Sequence, residues 1–287
     1  MSAAEPVPPA RAAGDGARDP AAHARAFLAA LDAVRPLPTV TGADPAFTVE
    51  EAYVVADELR RLRLARGERP RGYKIGFTNR GIWERYGVFG PIWGPLWDST
   101  LQNIDAGEAT VSLAHFCAPR LEPEIMFGFA RPPVAGMGLR ELFGCVEWVA
   151  HGFEIVDTHF AGWRFAAADT VADFALHGRL LVGPRVPASR FAVESIADEL
   201  AAIGVVLSCD GRVVEEGRAD IVLGGPLHAL SLWLDAMAAQ PHRWPVAAGD
   251  IVSTGTITDA APMRSGERWQ TRLSDPRLPG LALRTVE

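Results

Sequence analysis

Arg120-Leu-Glu-Pro-Glu124 and, further along the chain, Phe153-Glu-Ile-Val-Asp157 set three glutamates inside runs that otherwise read as buried strands. A strand sends residues i and i+2 to one face, so Glu122 and Glu124 project together while Leu121, Ile125 and Phe127 take the other. Two adjacent carboxylates repel, and two arrangements relieve them. A proton or a hard cation such as Mg²⁺ or Mn²⁺ sits between them, with Glu154 from a neighbouring strand as a third oxygen ligand. Alternatively, one glutamate is solvated at a strand edge and another pairs with Arg120.

Around these runs, the 287-residue chain has ample length for a substantial core, and 48% hydrophobic with 22% charged residues is an ordinary globular composition. The net charge of −7, with basic residues scattered apart from Arg60-Arg-Leu-Arg63, argues against nucleic acid as a partner. No apolar run reaches the roughly 20 residues of a membrane span, and the start of the chain lacks a secretion pattern, so cytoplasm is the expected compartment. Cys117, Cys145 and Cys209 are odd in number and set among apolar neighbours, which reads as buried free thiols.

Residues 1–20, rich in Ala, Pro and Gly, read as a flexible tail. A helix is expected from Ala21 to Val34, and a second begins at Thr48, where Glu51 completes a capping box. Gly72-Tyr-Lys-Ile-Gly-Phe-Thr78 is the first strand, with glycines that let another backbone or a ligand approach beside Lys74. Asn79 to Tyr86 reads as a short helix, and Val88 to Trp97 as a loop or lid. Strands follow at Arg120–Phe129, Val146–Asp157, Leu180–Gly183 and Ile203–Cys209, with helical segments at Leu139–Cys145 and Thr170–His177. Asp210-Gly211 marks a hairpin, Pro226 opens a Leu- and Trp-rich helix that could serve as an interface, and strands are expected around Gly249–Thr256 and Arg268–Arg272. The expected class is α+β: a mixed, mostly antiparallel β-roll with outer helices. The expected division is a tail at 1–20, a helical and lid region at 21–105 and a β-roll catalytic domain at 106–287.

Taken in order, Lys74-Ile-Gly-Phe-Thr78, Arg120-Leu-Glu-Pro-Glu124, Glu154-Ile-Val-Asp157, Asp169-Thr-Val-Ala-Asp173, Gly224-Gly-Pro-Leu227 and Gly249-Asp-Ile-Val-Ser-Thr-Gly255 resemble the fumarylacetoacetate hydrolase superfamily. The resemblance is to its branch of 2-oxopent-4-enoate hydratases and 4-oxalocrotonate decarboxylases, and it runs from about residue 50 to the end. It implies a β-roll holding Mg²⁺ or Mn²⁺ on the residues matching Glu122, Glu124 and Glu154, and a small 2-oxo acid substrate bound through an enolate. The implied activity is a hydratase; decarboxylation of a 2-oxo diacid and acylpyruvate-type C–C hydrolysis are alternatives on the same scaffold, and a non-catalytic carboxylate-binding relative is a third. Lys74 would stabilise the enolate, move protons or pair with a ligand carboxylate, while Gly255, Thr256 and Arg120 would bind substrate. Homo-oligomers are common among the proteins resembled.

The chain departs from that pattern at two places. Pro91-Ile-Trp-Gly94 stands where the hydratases carry a Pro-Asp-Phe-Gly-like run, and Val171-Ala-Asp-Phe-Ala-Leu-His177 lacks the serine that often follows Val-Ala-Asp. His177 is a candidate replacement acid/base, or else a histidine binding terminal helix carbonyls. His151 and His159 sit at odd offsets from Glu154 and should face away from the carboxylates, whereas His115 precedes them in a region that could fold over the site. Trp93, Trp97 and Trp163 wall a pocket or fill the core.

Overall fold

The computed structural model describes residues 19–104, 107–241 and 244–287. Residues 1–18 of the expected tail lie outside them; Asp19 caps the first helix, Pro20–Ala33, by accepting a hydrogen bond from Ala21 N–H. Thr48 and Glu51 form the expected capping box at the head of the Val49–Ala65 helix. These two helices pack on each other and on a short helix, Ala167–Ala172.

Among the described residues there are fourteen strands: β1 (Pro70–Gly76), β2 (Ile92–Trp97), β3 (Leu101–Asn103), β4 (Glu108–Ser112), β5 (Arg120–Phe129), β6 (Val146–Val156), β7 (His177–Val182), β8 (Val186–Pro187), β9 (Gly204–Cys209), β10 (Arg212–Arg218), β11 (Ile251–Thr256), β12 (Ala261–Pro262), β13 (Arg268–Leu273) and β14 (Ala282–Val286). The main sheet runs β2-β1-β11-β5-β6-β7-β3, with β12 on β5 and β8 on β6, and the second runs β10-β9-β13-β14-β4. Among the described strands, only β1–β11 and β3–β7 are parallel in the first and β14–β4 in the second, so the mixed, mostly antiparallel roll is borne out. β2 at one edge of the main sheet also touches β7, which curls the sheet on itself.

Strand alternation assigns each face its cover. Leu121, Phe153 and Ile155 meet Leu207, Trp269 and Leu283 of the second sheet, while Ile125, Phe127 and Val149 meet the helices. On the opposite face Met126, Trp148, Ala150, Leu180 and Ile251 form an apolar plug inside the roll, leaving the carboxylates of β5 and β6 further along that face. The Pro226–Ala239 helix places Trp233, Leu230 and Leu234 in the main core, with Trp233 against Tyr73. Its apolar face is thus spent within the chain rather than kept for an interface. At the β9–β10 hairpin, Asp210 (φ 48°) and Gly211 (φ 78°) take the left-handed conformations that a two-residue turn requires.

Two local expectations are corrected. Val88–Trp97 contains an edge strand, because Ile92–Trp97 pairs with β1; Pro95 is tolerated there since an edge position leaves one side of the strand without ladder bonds. The helix expected at Thr170–His177 ends at Ala172, and Phe174, Ala175 and Leu176 turn through positive φ before His177 opens β7. A division at residue 105 would cut through the main sheet, to which β1, β2 and β3 belong.

Leu207 is fully buried between the sheets. Leu207→Ala should lower unfolding free energy by about 2–5 kcal/mol, measured by denaturant melts, if the second sheet is integral to the fold.

Candidate metal centre and substrate cavity

Glu122 on β5 sits directly across from Glu154 on β6, and Glu124 lies opposite Gly152, where a side chain would collide with Leu181 O and Met126. One oxygen from each glutamate comes within 4.8 Å of the others. The register places β11 alongside with an irregularity between Ser253 and Thr256. This bulge turns both the Ser253 hydroxyl and the Gly255 N–H onto Glu124 Oε2, the latter at 2.8 Å. Gly255 has φ +108°, and a Cβ there would lie 1.9 Å from Thr78 Oγ1, so only glycine fits.

The second strand of the cluster is held from behind. Glu154 Oε1 is 2.8 Å from His177 Nδ1, and His177 Nε2 is 2.9 Å from Thr100 Oγ1. Burial, then the nearby Lys74, Arg63 and Arg179 charges, push His177 well below the ordinary imidazole range. A neutral ring that donates from Nδ1 to Glu154 and accepts from Thr100 satisfies both contacts. Lys74 Nζ is 3.4 Å from Glu154 Oε2, and the side chain is buried. Burial works to depress the Lys74 pKa, yet Glu154, Glu122 and Glu124 outweigh it and raise it, so Lys74 stays charged.

All three glutamates are pushed toward protonation. Burial followed by Glu154 repulsion raises Glu124 to about 8, against the lowering contacts from Lys74, Ser253 and Gly255. Burial does most to raise Glu122 well above its ordinary value, with Glu154 and Glu124 adding to it, and burial raises Glu154. Glu124 Oε1 and Glu154 Oε2 are buried without a hydrogen-bond donor. Orphaned carboxylate oxygens converging with a third carboxylate are the donor set a hard divalent cation takes, so Glu122, Glu124 and Glu154 fit Mg²⁺ or Mn²⁺.

Of the cluster, Glu122 lines a cavity of about 400 Å³, together with Lys74, Gly255, Thr256 and Arg120. Its walls include Phe77, Ile92, Val156, Trp163, Phe165 and Leu176. Four lining residues that are not glycine hold positive φ: Phe77 (53°), Trp163 (57°), Ala175 (52°) and Leu176 (60°), a concentration of backbone strain at this cavity. Thr256 reaches the cavity, but its hydroxyl donates to Thr258 O at 2.8 Å and accepts from Thr258 N–H. His177 does not line it. It stands behind Glu154 and faces a separate cavity of about 170 Å³, which His115 and His159 also line. The helix that should have ended at His177 stops earlier, so the residue begins a strand beside Glu154 instead of capping carbonyls. His151 and His159 point away from the carboxylates, bonded to Glu124 O and Thr271 and to Asp173 respectively. Trp163 walls the cavity, while Trp93 and Trp97 are buried.

No family model matches the chain. A 4-oxalocrotonate decarboxylase of a Pseudomonas species is 34% identical over 229 residues, covering 80% of this chain and 84% of that protein. The 2-hydroxyhexa-2,4-dienoate hydratase of Comamonas testosteroni is 32% identical over 244 residues, covering 84% and 88%. The chain belongs to the hydratase and decarboxylase branch of the fumarylacetoacetate hydrolase superfamily. Among solved structures, the 4-oxalocrotonate decarboxylase from Pseudomonas putida G7, complexed with magnesium and adipate, superposes with a TM-score of 0.83 at 28% identity over 93% of this chain and 97% of that one. Fumarylpyruvate hydrolase from Pseudomonas aeruginosa, in complex with Mn²⁺ and pyruvate, shares the fold at a TM-score of 0.56 and 16% identity over 75% of this chain and 89% of that one. Against the pattern that the branch's hydratases present, Ile92 puts an apolar wall in the cavity where an acid is expected, and Leu176 lines it in the segment that lacks serine. Ser253 and Thr100 escaped the sequence reading. Ser253 lies in the Gly249–Gly255 run, and it is the strand register that brings its hydroxyl to Glu124.

Because folding raises the glutamate pKa values, the folded chain without metal holds protons that the unfolded chain releases above about pH 4.5. Its stability should therefore fall as pH rises from about 4.5 toward 8. Thermal melts in chelator should show the decline, and Mg²⁺ should raise the melting temperature more at pH 8 than at pH 5. A flat profile with no metal effect would contradict the fit.

Proposed function

We propose that the chain is a divalent-metal-dependent lyase acting on a small 2-oxo or 2-hydroxydienoic acid through its enolate, adding water or releasing CO₂. The observation that carries this is the convergence of three carboxylates, with Glu124 Oε1 buried without a partner and Glu154 Oε2 met only by the Lys74 ammonium, beside a cavity that Glu122 and Lys74 line. Membership of a branch whose relatives are named as hydratases and decarboxylases supports it. A bound Mg²⁺ or Mn²⁺ would supply Lewis-acid stabilisation of the developing enolate oxygen.

The remaining chemistry falls to the chain. Lys74, kept charged by three carboxylates, presents an ammonium to the anionic intermediate and is placed to carry a proton to or from the substrate. His177 fixes the Glu154 carboxylate through Nδ1 and acts as a positioning residue. Gly255 fixes Glu124, while Thr256 shapes the cavity wall. The apolar walls exclude water around the carbon chain. Ile92 favours decarboxylation as the second reading, since loss of CO₂ requires no group to activate water.

The reading also places the enzyme in the cytoplasm as a homo-oligomer. Free Cys117, Cys145 and Cys209 suit a reducing compartment, and no helix among the described residues is long and apolar enough to cross a membrane. Exposed Val213 and Val214 on the edge strand β10 support burial against another copy.

Incubation of a 2-oxo dienoic acid and of a 2-oxo diacid with the Mg²⁺-loaded protein, with water addition and CO₂ release followed separately, tests the reading. Turnover that chelator abolishes is expected. Glu124→Gln should lose metal and turnover together, and Lys74→Met should lower kcat by about 10²–10³-fold with metal retained. Metal-independent turnover, or none on either substrate class, would refute it.

A further inference from the structure

We infer that the cavity behind Glu154 is a second ligand site, in which Arg179 holds a small carboxylate whose charge tightens the grip of the glutamates on their cation. Thr100, His115, Asp157, Asp173, His177 and Arg179 reach this cavity, and none of them lines the substrate cavity. Its volume of about 170 Å³ is on the scale of cavities that accept a benzene-sized molecule.

Arg179 is the cation left over once the local charges have paired. Asp157 accepts from Cys117 N–H at 2.9 Å and Ala118 N–H at 2.6 Å, and Asp173 accepts from His159 N–H and meets His159 Nδ1 at 2.5 Å. Arg179 makes no ion pair within 4.0 Å among the described residues. Burial alone lowers its pKa, and no carboxylate offsets that effect. Its Nη1 donates to Gln102 Oε1 at 3.4 Å, while Nε is buried without a partner and Nη2 has none among the described residues. The Nε–Nη2 edge of a guanidinium is a fork that takes a carboxylate through two parallel bonds. A buried donor left unsatisfied is costly, and a bound carboxylate relieves it. Burial works to depress the His159 pKa, but Asp173 and then Asp157 outweigh it and raise it, so this ring adds positive charge at the same cavity.

The link to the metal centre is short. His177 lines this cavity, and its Nδ1 lies 2.8 Å from Glu154 Oε1. Arg179 follows His177 by two residues on β7, and after burial and the Lys74 and Arg63 charges its own charge acts on that ring. Negative charge settling on Arg179 reduces the positive charge behind Glu154, which favours a cation in front of it. By linkage, a cation on the glutamates tightens the carboxylate by the same factor. Phe174 meets the rear cavity while Ala175 and Leu176 meet the substrate cavity, so one turn at positive φ separates the two.

Calorimetric titration of the full, metal-free chain at constant ionic strength tests the site, using acetate against acetamide, its neutral counterpart of the same shape. The wild type should bind acetate at least about tenfold more tightly. Arg179→Gln should reduce that preference to about twofold or less, Arg179→Lys, which keeps the charge without the fork, should fall between, and Arg120→Gln should keep it. Melting curves identify the variants that fold, and the lysine variant decides the matter if the glutamine one does not. Mg²⁺ titrations with and without acetate test the coupling: acetate should raise wild-type Mg²⁺ affinity about fivefold, and a folded Arg179 variant should lose most of that gain. Equal wild-type affinities for the two probes, or a preference undiminished in a folded Arg179 variant, would overturn the site. A preference lost instead in Arg120→Gln would place the anion in the substrate cavity and overturn it equally. Mg²⁺ affinity indifferent to acetate would overturn the coupling. Failure of the chain to bind Mg²⁺ at all would overturn the cation centre and the coupling with it, while the metal-free titrations decide the rear cavity independently.

Discussion

Three glutamates packed inside a protein repel one another, and in this chain that repulsion is confined rather than dispersed. Burial raises all three pKa values, mutual charge adds to it at Glu122 and Glu124, a single ammonium from Lys74 opposes them, and Glu124 Oε1 has no donor. One positive charge cannot balance three negative ones. A divalent cation resolves the conflict, and protonation resolves it only by discarding the donor set. The architecture around the cluster serves to hold the carboxylates together against their own repulsion.

The sheet does this by register. Direct pairing of Glu122 with Glu154 fixes one pair, and the β11 irregularity brings the Ser253 hydroxyl and the Gly255 N–H onto Glu124. Behind Glu154, the buried His177 transmits the position of Thr100. The apolar plug of Met126, Trp148 and Leu180 closes the roll beyond the cluster, while the cavity opens on the other side. Strain in Phe77, Trp163, Ala175 and Leu176 is stored in the loops that shape this opening, where packing from the sheet and helices can support it.

Much of the site was legible because strand periodicity is rigid. The alternation in Arg120–Phe129 placed Glu122 and Glu124 on one face, and the odd offsets of His151 and His159 from Glu154 removed them from it. The hairpin at Asp210-Gly211 and the capping box at Thr48 were readable because each depends on neighbours in sequence. What the sequence concealed depends on long-range pairing. β2 looked like a loop because Pro91, Gly94 and Pro95 break every local strand signal, and only its edge position makes them acceptable. His177 read as a helix end because nothing local foretells three successive residues at positive φ. The Trp- and Leu-rich late helix suggested an interface, yet composition alone does not distinguish a helix facing a partner from one facing its own core.

The central claim is that Glu122, Glu124 and Glu154 form one cation site. Anomalous scattering from crystals grown with Mn²⁺ tests it most directly. One manganese peak within about 2.0–2.6 Å of an oxygen from each glutamate is the result this account predicts. A well-ordered, metal-free cluster at high Mn²⁺, with the glutamates bonded only to one another and to Lys74, would contradict it.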